Sequence, residues 1–255
     1  MLSNEYLNYK IKNINIIVVL INSQKNIDKE KIKPYCLILE LINIVWFGDL
    51  IMVKVIKIKY GNTKCYLIQG TKKTILIDTD WAGTLSRFFK KLGEYDLKVQ
   101  NIDYLFITHY HPDHMGLAQV LADYGIKLVV LDSQLKYIHQ SDYIFERQRN
   151  SEFEPIKDKQ VLVLPITKSR KFLKKCGIDG EILSTPGHSN CSVSYILDNG
   201  EAFVGDLYPI EQVALYDNPV LTKSWEKLKY ANVKKVHFAH YADEIISDWS
   251  QIKSV

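Results

Sequence analysis

The chain has 255 residues, 47% of them hydrophobic and 24% charged, which is enough for one large domain with a full core or for two small ones. Its 33 basic and 29 acidic residues leave a net charge of +4, too mild to single out nucleic acid as a partner. The four cysteines, Cys36, Cys65, Cys176 and Cys191, have no C-x-x-C spacing and no secretory leader goes with them, so reduced thiols in a cytoplasmic protein are expected rather than a disulfide framework.

Residues 1–51 are dominated by Asn, Ile, Lys and Leu. The apolar run 13–21 is too short to cross a bilayer, residues 36–52 carry Glu40 and Asp49, and no small-residue cleavage site follows, so no membrane association is expected. Strand-like alternation begins directly after Met52. The expectation is therefore a functional domain over 52–255, with residues 1–51 an extension that carries no function.

Residues 53–60 alternate apolar and polar side chains, the pattern of a strand with one buried face, and Gly61-Asn62 marks a turn. Residues 65–70 and 73–78 are the next two strands, predicting an antiparallel meander. Leu85, Phe88, Phe89 and Leu92 recur at helical spacing within 84–95. A buried strand over 102–107 leads into a helix over 113–124. A strand is expected at 127–131, a helix at 134–149, and short strands at 161–164 and 181–185. Residues 193–197 and 202–204 flank Asp198-Asn199-Gly200, a strong hairpin signal. A helix at 224–231, a strand at 234–240 and a closing helix at 244–252 complete the pattern. Runs of antiparallel strands with helices between them suggest helices packed outside paired sheets. The basic run 168–175 reads as the solvated face of a helix.

The densest chemistry lies in Thr108-His109-Tyr110-His111-Pro112-Asp113-His114, on a loop leaving a strand end. Imidazole nitrogens and carboxylate oxygens are ligands for zinc and related divalent ions. His109 and His111 lie two apart, so an extended backbone points them the same way, and Pro112 then turns the chain so that Asp113 and His114 face an adjacent position. One short loop can thus feed two metals. Other strands also end in ligand-type residues: Asp78, His188, Asp206 and His240. Five of the seven histidines fall in such places; His139 and His237 read as structural or surface residues. Cys191, three residues past His188, is expected to pack into the following strand.

Taken together, Asp78, His109-x-His111-x-Asp113-His114, Thr185-Pro186-Gly187-His188-Ser189, Gly205-Asp206 and His240 resemble the metallo-β-lactamase superfamily, with all five motifs in order over residues 53 to 252. The resemblance implies an α+β fold, a four-layer αββα sandwich with metals at one edge between two sheets. It implies that His109, His111 and His188 bind a first metal. Asp113, His114 and His240 would bind a second, Asp206 would bridge the two, and Asp78 would orient the histidine loop. Two divalent ions, with zinc the default and iron or manganese accepted by the same ligands, would share a hydroxide, since zinc lowers the pKa of bound water toward about 7.

The expected activity is hydrolysis of a small-molecule ester, lactone or thioester, with phosphodiester hydrolysis the alternative. The zinc β-lactamases carry cysteine at the position of Asp206 and commonly lack the histidine at His114, which disfavours that activity. Flavodiiron proteins have glutamate at the position of His111. Hydroxyacylglutathione hydrolases match the ligands but add a helical domain, whereas only fifteen residues follow His240 here. Asp113 is expected to help position the attacking hydroxide or pass its proton to the leaving group, and Tyr208, two residues past Asp206, is a candidate donor to a substrate oxygen. Residues 137–153, with Tyr137, Tyr143, Phe145, Arg147 and Arg149, read either as a lid or as an amphipathic cover over a sheet. No sequence feature assigns an oligomeric state.

Overall fold

The computed structural model describes residues 53–250 and residue 252; the readings made for residues 1–51 lie outside the described residues. Strands β1 (Lys54–Lys59), β2 (Lys64–Gln69) and β3 (Thr74–Ile77) form the expected antiparallel meander. In the rest of this sheet the expectation of antiparallel runs fails, while the hairpin expected over 193–204 is antiparallel. Strands β4 (Tyr104–Phe106), β5 (Lys127–Leu131) and β6 (Leu162–Leu164) each pair parallel with the strand before. Each connection makes a crossover through helical chain, and a parallel pair requires such a crossover. The second sheet has the order β11-β10-β9-β8-β7. Its strands are β7 (Gly180–Ser184), β8 (Val193–Leu197), β9 (Glu201–Gly205), β10 (Lys235–Phe238) and β11 (Glu244–Ile245). Only β9 and β10 run parallel in it.

The period of two along each strand separates the core into three layers. In β2, Cys65 and Leu67 face one way, to a cluster that includes Phe88 and Leu92 of helix α1 (Leu85–Gly93). Tyr66 and Ile68 face the other way and meet Ile182, Tyr195 and Phe203 of the second sheet. On that sheet Ile196, Ala202, Val204 and Val236 turn outward to Leu221, Trp225 and Leu228. The result is a helix-sheet-sheet-helix sandwich, the fold that was expected. Each fully buried Leu, Ile or Phe in these layers contributes ~1.5–3 kcal/mol.

The expected helix over 113–124 is two helices, α2 (Pro112–Met115) and α3 (Ala118–Asp123). The break lies at Gly116, where a Cβ would stand 2.3 Å from the Ala82 nitrogen and 2.6 Å from the Asp80 carbonyl oxygen, so two stretches of backbone touch. The expected helix over 134–149 is a 3-10 segment, Asp132–Tyr137, followed by α4 (Asp142–Arg147). Side chains anchor this segment: Gln134 Nε2 donates to the carbonyls of Ile107, Thr108 and Cys191, and Ser141 Oγ donates to that of Tyr110. Phe145 is buried against Trp81 and stacks on Phe153 at 3.9 Å, so these aromatics cover the first sheet.

Helix α5 (Ser169–Lys175) carries the basic run, with Arg170 paired to Asp198 and Glu181. Helix α6 (Pro219–Tyr230) begins five residues earlier than expected, because Asn218 caps it by accepting from the N–H groups of Val220 and Leu221, with Pro219 in the first turn. The closing helix at 244–252 does not form. Residues 244–245 instead pair with β10, and the Asp248 carboxylate then accepts from the Ser250 N–H and hydroxyl, a local turn that competes with helix.

Candidate metal centre

The site lies at the strand ends of both sheets. Asp78, just past β3, has a left-handed backbone (φ 60°) and a fully buried carboxylate. Its Oδ1 accepts from the Thr108 N–H at 2.6 Å, and its Oδ2 accepts from the Thr108 hydroxyl at 2.7 Å and from His114 Nδ1 at 2.9 Å. This ties down the loop after β4 and makes His114 Nδ1 the protonated nitrogen, leaving Nε2 as a lone pair aimed inward. Pro112 opens α2 and sets Asp113 and His114 on its first turn.

The second sheet supplies the rest. His188 follows β7 in a loop braced by Ser189 and Ser192. Asp206 follows β9 through Gly205, which adopts φ 59° and lies so close to Thr108 that a Cβ would stand 2.4 Å from its Oγ1. Only glycine takes that conformation at low cost in that space. His240 follows β10.

These residues form two clusters, His109/His111/His188 and Asp113/His114/Asp206/His240, each with its donor atoms within 4.8 Å of one another. All seven residues expected to bind metal are therefore brought together. Asp206 stands between the groups: Oδ2 is 3.8 Å from His109 Nε2 and 3.5 Å from His188 Nε2, and Oδ1 is 3.2 Å from His114 Nε2 and 3.3 Å from His240 Nε2. One carboxylate thus turns one oxygen to each cluster. Asp113 Oδ2 lies 3.0 Å from His240 Nε2. His109 and His114 are fully buried, while His111, His188 and His240 border the open side.

The donor set fits divalent cations on a feature of this structure. Buried polar atoms are normally hydrogen-bonded. Here His109 Nε2, His114 Nε2 and Asp206 Oδ1 are buried with no hydrogen-bond partner, and all three converge on the same space. Cations there would satisfy them together.

Charge points the same way at the first cluster, whereas in the second, against burial, the carboxylates Asp78 and Asp206 raise His114, and Asp113 and Asp206 raise His240, so that cluster favours positive charge among its acids. Burial, reinforced by the neighbouring imidazoles, pushes His109 and His111 below the ordinary histidine value, and burial does the same to His188, which keeps these rings in the neutral, ligating form. Burial works against the Asp113 carboxylate, but His240 and His114 outweigh it and hold its pKa at about 2. Asp206 is also lowered against burial, chiefly by His114.

Tyr208 lies beside the site: its ring meets that of His188 edge-on at 5.8 Å and stacks on Tyr216 at 4.2 Å. His237 and His139 stand apart, as expected: His237 bonds Glu201 and Asp243, and His139 bonds Asp142 and Asp158. Cys191 is buried, with its sulfur against the Tyr110 N–H, and belongs to neither donor cluster. Sequence reasoning passed over Thr108 and Gln134. Thr108 adjoins His109, and that adjacency was the available signal; Gln134 carried none.

Comparison with known proteins agrees with this geometry. The sequence profile of the metallo-beta-lactamase superfamily matches residues 58–240, and the chain belongs to that superfamily. It is 29% identical over 163 residues to a protein of Methanocaldococcus jannaschii described as a "probable metallo-hydrolase", covering 63% of this chain and 74% of the relative. It is 27% identical over 157 residues to a hydroxyacylglutathione hydrolase of Haemophilus influenzae, covering 61% and 71%. The crystal structure of a metallo-beta-lactamase family protein from Thermus thermophilus shares the fold, with a TM-score of 0.58 at 19% identity over 75% of this chain and 74% of that one. The chain is a metal-dependent hydrolase of this superfamily.

Proposed function

We propose that the protein holds a pair of divalent ions and hydrolyses a small ester, lactone or thioester. The observation that carries this is Asp206, whose two oxygens turn to two separate donor clusters containing unpartnered buried nitrogens. His109, His111 and His188 would hold one ion, Asp113, His114 and His240 the other, with Asp206 common to both. Zinc is the default for this nitrogen and oxygen set, and iron or manganese suits it as well. Bound divalent ions supply Lewis acidity and acidify the water they hold.

The chain's own residues supply the rest. Asp113, whose Oδ2 lies 3.0 Å from His240 Nε2 at the site, would help hold the attacking hydroxide or pass its proton to the leaving group. Tyr208, beside the His188 ring, supplies an O–H for the substrate carbonyl oxygen. Asp78 sets the His114 tautomer. The hydroxyacylglutathione hydrolase relative supports thioesters among the candidates.

The partner in this reading is a small molecule, with no nucleic acid and no membrane, in the cytoplasm. Cys65, Cys176 and Cys191 are free, and no helix among the described residues is long and apolar enough to cross a membrane. The alternative is phosphodiester hydrolysis, which the same pair of ions serves.

The test is metal analysis of the purified protein with turnover on a panel of lactones, aryl esters, S-lactoylglutathione and bis(p-nitrophenyl) phosphate. Two ions per chain with metal-dependent turnover of a carbonyl substrate is the expected result. Turnover of the phosphodiester alone moves the reading to the alternative, and no metal-dependent turnover on either class overturns it.

A further inference from the structure

A second group of charged side chains lies away from the donor atoms, where the edge of the first sheet meets the second. His240 rides on the connection between β10 and β11, residues 239–243. The outer strand of that hairpin is only two residues long, with the pairs Lys235↔Ile245 and Val236↔Glu244. Two ladder pairs hold a ligand-bearing loop weakly, so the loop needs another anchor.

The anchor comes from β1 and β2. The Lys64 N–H donates to the Ala239 carbonyl at 3.0 Å, the Tyr66 hydroxyl donates to the Phe238 carbonyl at 3.0 Å, and the Lys64 ammonium donates to the Tyr241 carbonyl. All three bonds fall within two residues of His240.

Asp243 joins this frame together. Its Oδ2 accepts from Lys57 Nζ at 2.6 Å and lies 3.2 Å from His237 Nδ1; its Oδ1 lies 3.3 Å from the Tyr66 hydroxyl, whose one proton it shares with the Phe238 carbonyl, and faces Lys64 Nζ at 3.5 Å. His237 is held from behind by Glu201, at 2.7 Å, and its ring stacks on Phe203 with centroids 4.7 Å apart. One carboxylate thus gathers groups from β1, β2 and β10. Burial works to raise the Asp243 carboxyl, but Lys57 and His237 outweigh it and bring it to about 2.

We infer that Asp243, with Tyr66 and Lys64, is a latch that positions His240 for the second metal. This rests on the proposed reading that Asp113, His114, Asp206 and His240 hold that metal. Asp243 touches no donor atom of the site among its described contacts and acts through the loop, so it is a positioning residue. The first cluster, His109/His111/His188, draws nothing from this loop, and the latch therefore acts on one metal position and not the other. Groups that orient metal ligands typically change affinity about 10–100-fold when lost.

The experiment is a Co2+ titration of the metal-stripped full chain, read by visible absorption and by mass spectrometry for stoichiometry. It uses wild type, D243N, Y66F and, as calibrator, H240A. The expected result is two equivalents in wild type, with D243N and Y66F weakening the second equivalent by ~10-fold or more and leaving the first within about twofold. D243E, which restores the charge, should recover part of the loss. Two equivalents bound alike by wild type and both variants overturns the latch alone. Equal weakening of both equivalents also overturns it, since that is a general loss of structure. A wild type that takes one equivalent overturns the two-ion reading, and the latch with it.

Discussion

The substitution D78N changes one atom's chemistry and no volume. The backbone N–H of Thr108 donates to Asp78 Oδ1 at 2.6 Å, so an amide must keep its oxygen there. Its NH2 then replaces Oδ2, facing the Thr108 hydroxyl and His114 Nδ1 at 2.7 and 2.9 Å. The hydroxyl can accept from it. His114 Nδ1 must also accept, which moves the ring proton to Nε2, the atom aimed into the site. A protonated Nε2 cannot ligate.

On the proposed two-ion reading the variant should therefore fold, weaken the metal at His114 more than the other, and lose turnover with it. The expected fall in affinity at that position is about 10–100-fold, or about 1.4–2.7 kcal/mol. The His109 cluster is joined to Asp78 only through Thr108, whose hydroxyl lies 3.2 Å from His109 Nδ1, so its metal should weaken less than the one at His114. Stability of the metal-free protein should drop by about 1–3 kcal/mol, the cost of exchanging charge-assisted bonds for neutral ones. The assay is metal stoichiometry after dialysis against graded chelator, beside urea unfolding of the metal-free forms. D78N with both metals at wild-type affinity and turnover within about twofold would refute the tautomer argument.

Three further outcomes follow from single contacts. G205A forces a side chain into a left-handed backbone and against Thr108 Oγ1; urea unfolding should show a loss of about 2–4 kcal/mol, and Asp206 should lose its metal along with it. Burial, then the Glu211 carboxylate, raises the half-buried Glu244 to about 7. Its folded pKa is above its unfolded value, so the associated stability is present below pH 4.5 and is lost as pH rises through 7. Solvent screening reduces this to about 1 kcal/mol, and E211Q, which leaves the larger contribution of burial in place, should gain only part of it, ~0.5 kcal/mol, over wild type at about pH 8 in urea midpoints of the metal-free protein, with no difference near about pH 4.5. N218A removes the cap of α6 and should cost about 1 kcal/mol, read as a fall in Tm of about 2–4 °C.

The donor residues were legible because their chemistry is local. His109, His111, Asp113 and His114 sit within six positions, and Asp78, His188, Asp206 and His240 each come after an apolar strand, so the place where the apolar run ends marks the residue that reaches the site. Alternation likewise marked the buried face of β1. What the sequence concealed depends on distant chain. The break at Gly116 exists because the backbone of residues 80–82 presses against it, and nothing between 113 and 124 announces that contact. The parallel pairing of β3 to β6 is set by which face the crossovers cover. The early start of α6 was written in Asn218-Pro219, a signal present but passed over. The stretch 244–252 has helical spacing but is drawn into a sheet edge and an Asp248 turn. Asp243 looks like any surface carboxylate until Lys57, Lys64 and Tyr66 are seen around it.

Neither donor cluster belongs to one sheet. His109 and His111 come from the first sheet and His188 from the second; Asp113 and His114 come from the first, Asp206 and His240 from the second. A slip of one sheet across the other would therefore misplace both clusters together. The bonds that cross between the sheets lie beside these residues. The Val193 N–H donates to the Thr108 carbonyl at 3.0 Å, next to His109, and the Tyr195 hydroxyl donates to the Ile107 carbonyl at 3.3 Å. The Lys64 N–H and Tyr66 hydroxyl reach the carbonyls on either side of the Ala239 N–H, just before His240. Packed imidazoles and carboxylates would drift apart or toward water without such ties, since the His109 and His114 rings are only 4.1 Å apart at their centroids. The apolar layer between the sheets stabilises the fold, while the polar bonds at its edge set the register between them. The geometry of the site is thus a property of that register, which is why residues such as Asp78 and Asp243, remote from any reacting atom, carry so much of its precision.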